Sequence, residues 1–223
     1  MAPYVATMRE AFQDQLDGIF IDLGTMCGLV ETAVREATVA LMTSDAIVAE
    51  RVISADAVID ARRERIEDAS FSLLSLQQPV AGDLRTIVSA LRMVSELERM
   101  GDLSAHVAKI ARMRVPHVAV PEEVRPTLQA MADTAQDMVR RVGEIIAERD
   151  VDAATMLRRD DEEMDRLRRV SFSQLLSEAW SHGVEPAIDV ALLGRYYERI
   201  ADHAVSVAGR VVYVVTGEAP ERA

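Results

Sequence analysis

Between Leu84 and Ala108 an apolar or small residue falls at alternating steps of three and four: Leu84, Ile87, Leu91, Val94, Gly101, Ala105, Ala108. One position breaks the run, Glu98. The same stepping recurs as Val184, Ala187, Ala191, Gly194, Ala201, Val205, Ala208, Val212 and Val215, broken once, at Glu198. Such spacing is the signature of one helical face turned toward neighbouring helices. Its recurrence marks an internal duplication.

Read outward from these seams, the chain predicts six long helices. The first spans about Tyr4 to Leu41 and the second Ala46 to Gln77, with Ser44 or Asp45 as N-cap. The third starts near Pro79 and reaches about Arg112. The fourth covers about Glu122 to Glu148, the fifth Ala153 to Ser181, and the sixth ends near Val215. "VVYVV" at 211–215 favours strand, yet it continues the seam and is read as helix. "RVPHVAVPEEV", with two prolines flanking a β-branched run, is the best linker. The expected fold is therefore all-α. It consists of two tandem three-helix antiparallel bundles, 1–114 and 115–223, related by an internal pseudo-twofold repeat.

Composition supports this and limits function. The hydrophobic share is 49% and the aromatic share 4%, so the core must be aliphatic. A net charge of −12 argues against nucleic-acid binding, which needs a basic face. Lys109 is the single lysine, and Cys27 stands alone in an apolar stretch, expected as a buried inert thiol. Neither a signal peptide nor an uninterrupted apolar span is visible, which gives the expectation of a cytoplasmic protein.

The two glutamates carry the chemical interest. Asp102 and Asp202 lie one turn after them, at the edge of the same face. On the preceding helix of each half, Asp56 and Asp60 bracket Ile59, and Asp161 and Asp165 bracket Met164. If those helices pack side by side, four carboxylates converge per half, an oxygen-rich cage for a cation. Gly101, Ala105, Gly194 and Ala201 leave room around it. The competing reading is ion pairing along the helix, with Arg99 and Arg199 three residues before the aspartates and Arg195 three before Glu198.

Other chemistries find little support. None of His106, His117, His182 and His203 has a Glu three residues earlier, so a ferritin-type di-iron site is not expected. Phosphate-cradling loops, GxSxG and CxxC are absent. His203 reads as a surface or satisfied histidine, and Trp180 as a cap on the core. A metal-dependent hydrolase of phosphate compounds and a purely structural helical module stand as alternatives.

"QQPVAGDLR", "DLRTIVSALRMVSELERMGDLSAHVAKIA" and "RYYERIADHAVSVAGRVVYVVTGE" resemble the junction and the paired acidic signatures of PhoU-type phosphate-transport regulators, in order and spacing, over about Tyr4 to Glu218. The Arg- and Ala-rich composition looks actinobacterial. The resemblance implies a non-enzymatic, cytoplasmic homodimer. It implies that such a protein dampens a phosphate ABC transporter through its ATPase and represses phosphate-starvation genes through a sensor histidine kinase. Contact with the membrane would come only through these partners. It also implies multinuclear metal clusters, iron or zinc with magnesium or manganese as alternatives, at Glu98, Asp102, Glu198, Asp202, Asp56, Asp60, Asp161 and Asp165. The chain departs from the family pattern at Ala201, often Gly, and at Asp60, often Asn. The added carboxylate should favour a cation of higher charge.

Overall fold

The computed structural model describes the backbone of residues 2–218 and the side chains of residues 9–75, 78–159 and 161–218. Met1 and residues 219–223, the outer ends of the two expected domains, lie outside the described residues. Among the described residues the regular structure is six α-helices: α1 Ala2–Thr43, α2 Ala46–Gln77, α3 Ala81–Arg114, α4 Arg125–Glu148, α5 Val151–Leu175 and α6 Val184–Thr216.

Local chemistry explains most helix ends. Asp45 Oδ1 accepts from the backbone of Ile47 at 2.9 Å and Val48 at 3.0 Å, satisfying two donors that α2 leaves free. Asp150 does the same for Ala153, so α5 begins two residues earlier than its periodicity suggests. Residues 121–124 form a turn closed by the Val124 N–H on Pro121 O, which delays α4 to Arg125. The largest correction is at the end of α5. The pattern predicts helix to Ser181, but the helix stops at Leu175. Ser177 instead organises a turn: its carbonyl accepts from Trp180 N–H and its hydroxyl from Ala179 N–H. Serine side chains that bond nearby backbone compete with helix continuation in this way. Trp180 packs on the core from there, with its indole N–H on Gly183 O at 2.8 Å.

Within each half the three helices run up, down and up. Arg62 meets Asp22 and Arg51 meets Glu36 across α1 and α2, while Arg168 meets Glu198 across α5 and α6. The halves are joined along two antiparallel seams. Across α3 and α6, Arg85 faces Val214, Glu96 faces His203, and Arg114 faces Asp189. Across α1 and α4, Gln136 faces Glu31 and Arg149 faces Asp17. The four helices α1, α3, α6 and α4 therefore close a ring, with α2 packed outside α1 and α3 and α5 outside α4 and α6. The buried residues of all six helices form one continuous apolar cluster. Cys27 is buried within it, and burial pushes its thiol up to about 12.

The seam expected from steps of three and four leaves the core at its start in α3 and at both ends in α6. Leu84 and Val184, its first members, are 41% and 75% exposed. The face that α3 actually buries passes through Ile87, Ala90, Met93, Val94, Leu97, Met100, Gly101 and Ser104. A repeat of 3.5 residues drifts around a straight helix of 3.6 residues per turn. Along the helices that drift carries Leu84, Val184 and Val215 out of the core, while Ala105 and Ala108 stay buried.

Candidate functional site

Two acidic grooves result, one between α2 and α3, the other between α5 and α6. In the first, Gly101 lets the helices close: a Cβ there would lie 2.9 Å from Ile59 Cδ1 and 3.4 Å from Asp56 Oδ1. Asp56 is thereby drawn against α3. Its carboxyl is held above its ordinary range by partial burial, then by the charges of Asp102 and Asp60. Glu98 is raised too, by partial burial and then by Asp102. Asp60 and Asp102 thus act on both Asp56 and Glu98. Asp56 and Glu98 are half-buried, and Asp60 and Asp102 are exposed on the rim.

In the second groove Asp161 is half-buried, and Asp165 and Asp202 are exposed. Asp161 is pushed up to about 6 by partial burial and by Asp202, Asp165 and Glu198 together. Asp202 is also raised, by burial and then by Glu198. Glu198 differs from its counterpart. It is 6% exposed and takes two guanidinium groups. Arg168 of α5 reaches Oε1 at 2.7 Å, and Arg195, one turn back on α6, pairs with Oε2. A buried carboxylate needs such compensation.

Of the two competing readings, ion pairing is met at Glu198, where Arg195 pairs with it. The acids of each half lie near one another but form no cation-holding group among the described residues. The pairing expected of Arg99 and Arg199 with the aspartates is not formed: neither arginine bridges Asp102 or Asp202 among the described residues. The sequence reading also passed over Arg168. Its signal was available, because Arg168 follows Asp165 by three residues as Arg63 follows Asp60. His203 is partly buried rather than superficial: its Nδ1 lies 2.6 Å from Glu96 Oε2 across the two halves, while its Nε2 is buried without a partner. That hydrogen bond holds the Glu96 carboxyl below its ordinary range.

The donor set is all carboxylate oxygen, which suits hard cations such as Mg²⁺, Mn²⁺ or iron better than thiolate-seeking ones. Mutual repulsion among Asp56, Asp60, Glu98 and Asp102 fits a cation at the first groove. Among the described residues no three Asp, Glu, His or Cys side chains stand close enough together to hold an ion as they are. Binding there requires the carboxylates to close on the ion.

Comparison with known proteins agrees with this architecture. The PhoU domain family matches residues 23–111 and 128–211, one stretch in each half. The chain is 46% identical over 213 residues to the phosphate-specific transport system accessory protein PhoU homolog 2 of Mycobacterium tuberculosis, covering 96% of this chain and 100% of that protein. To PhoU homolog 1 of Mycobacterium leprae it is 46% identical over 214 residues, 96% of each chain. The crystal structure of PhoU from Pseudomonas aeruginosa superposes with a TM-score of 0.84 at 28% identity, covering 93% of this chain and 100% of that one. The family model covers a stretch of each half, and the chain belongs to the PhoU domain family.

Proposed function

We propose that this protein is an accessory regulator of a phosphate-specific transport system, acting in the cytoplasm as a homodimer. In this reading it holds the transporter's ATPase down when phosphate is ample and relays that state to a sensor histidine kinase, which represses starvation genes. The observation that carries it is full-length similarity to accessory proteins of that system, 46% identity across 96% of the chain. No described helix is long and apolar enough to cross a membrane, consistent with action through partner proteins. The acidic grooves serve as cation sites that fix α2 against α3 and α5 against α6, or that present a metal-dependent surface. Their two-fold occurrence supports this, as does the raised carboxyl of Asp56 and of Glu98 in the first half, caused by partial burial and by neighbouring acids.

A test is affinity capture of the tagged full-length chain from cells grown at high and at low phosphate. The transporter ATPase and the sensor kinase should co-purify, more at high phosphate. Deletion should raise phosphate uptake and starvation-gene expression under ample phosphate. Recovery of neither partner at either level, with uptake unchanged on deletion, would overturn the regulatory reading.

A further inference from the structure

Exposed apolar side chains recur at matched places in the two halves. With the acids aligned, α5 repeats α2 with Leu176 at the place of Phe71, and α6 repeats α3 with Val184 and Ile188 at the places of Leu84 and Val88. Val215, in the last turn of α6, corresponds in the same way to Val115, just after α3. All of these residues are between 37% and 83% exposed. Single apolar residues in water are ordinary, but exposed ones retained as pairs through a duplication mark a surface that something covers. Val58 and Met156 are exposed too, yet their counterparts are Glu163 and Arg51.

The matched residues gather into two patches. Asp56 and Asp102 share the first groove, and carrying that antiparallel register toward the α2–α3 turn brings Phe71 level with Val88, with Leu84 one turn on. Val215 adjoins them, because Arg85, next to Leu84, donates to Val214 O. In the other half the register of Asp161 and Asp202 brings Leu176 level with Ile188, with Val184 one turn before it. Val115 adjoins these, because Arg114 pairs with Glu185 and Asp189. The patches therefore sit at opposite ends of the antiparallel α3–α6 pair, about 40 Å apart along α3. Each opens onto the acidic groove of its own half, in a chain of net charge −12.

We infer that this face docks the paired ATPase subunits of the transporter, one subunit on each patch, each bringing an apolar side chain flanked by Lys or Arg. The inference rests on the reading of the chain as a regulator of that ATPase and adds the surface and the stoichiometry. Two matched patches receive one surface twice, which a two-fold symmetric pair presents and a single-copy partner does not. The acids beside each patch favour a basic rim on the partner. A second copy of this chain would bring acids to the same places, and like charges would meet. Holding both subunits at once fixes their separation, and so restrains an ATPase whose subunits must close on one another.

Calorimetry of the full-length chain with the purified ATPase subunits, paired by a non-hydrolysable ATP analogue, tests this, and sedimentation gives the stoichiometry. One chain per pair of subunits is expected, with affinity falling as salt rises. Phe71→Ser with Val88→Ser removes the first patch, and Leu176→Ser with Ile188→Ser the second. Each pair should weaken binding about tenfold or more, and all four together should abolish it, because the two contacts act as one linked event. Val58→Ser with Met156→Ser, exposed but unmatched, should change nothing. Circular dichroism confirms that each variant is helical. Undiminished binding by the four-site variant, indifference to salt, or one chain per single subunit would overturn the docking surface and leave the regulatory reading standing. Dissociation of the chain's own homodimer by the same substitutions would assign the patches to self-association and overturn it too. Failure of the wild-type chain to bind would overturn both the surface and the ATPase part of the regulatory reading.

Discussion

Asp161 is pushed up by partial burial first and then by Asp202, Asp165 and Glu198, and its protonation should be visible in stability. Its native carboxyl titrates at about 6, against 3.8 for a free aspartate. The folded protein therefore binds this proton more tightly than the unfolded chain. Linkage then makes stability fall as pH rises from about 4 to about 6, with the favourable term fully present only below that window. Two pH units correspond to about 3 kcal/mol. Asp161 remains half open to solvent, and screening reduces the effect to roughly 1 kcal/mol. Asp161→Asn should accordingly stabilise the metal-free protein by about 1 kcal/mol at pH 7, measured by urea unfolding with chelator present. The variant should also lose that part of the pH slope. The pairing of acids was legible from spacing alone. How far each is buried was not, because burial depends on where the outer helix lies.

At the scale of elements, glycine positions separate packing from propensity. Gly28, in the middle of α1, has open space where a Cβ would go, so Gly28→Ala should stabilise by up to about 1 kcal/mol through helix propensity. Gly101 is also helical, but its Cβ would press into buried Ile59. Overpacking of about 1–3 kcal/mol should exceed the propensity gain, giving a net loss of about 1 kcal/mol. Chemical denaturation of both variants checks the opposite signs; equal stabilisation would show that α2 yields freely at Gly101. Helix number and order followed directly from periodicity, and capping residues narrowed the start of α2 to Ser44 or Asp45, of which the structure uses Asp45. The early end of α5 did not, since Ser177 forms a turn that no apolar period encodes.

At the scale of the molecule, a few polar contacts tie the halves together. The Tyr197 hydroxyl and Thr38 Oγ1 lie 2.9 Å apart in the buried centre, joining α6 to α1. Tyr197→Phe should cost about 1 kcal/mol, because Thr38 keeps its bond to Val34 O. Arg114, at the end of α3, pairs with Glu185 and with the 3% exposed Asp189 at the start of α6. Arg114→Ala would strand the Asp189 carboxylate and should lower the melting temperature more than Tyr197→Phe, with Asp189→Asn in the same chain restoring part of it. Thermal melts of the three variants decide the order. Tyr197 gave no warning in the sequence, since an aromatic on the apolar face reads as ordinary core.

Periodicity alone determined that this chain is all-helical and duplicated, and the spacing of its acids determined that each half repeats one acidic arrangement. Both properties depend on neighbours within a few turns, so local sequence suffices to state them. Which arginines reach which glutamate was decided only by the tertiary structure. Arg168 and Glu198 are thirty residues apart and meet because α5 folds back on α6, while Arg63 pairs with Glu67, one turn away on its own helix. Charge compensation in a groove depends on distances between helices, and those are set by packing across the whole ring.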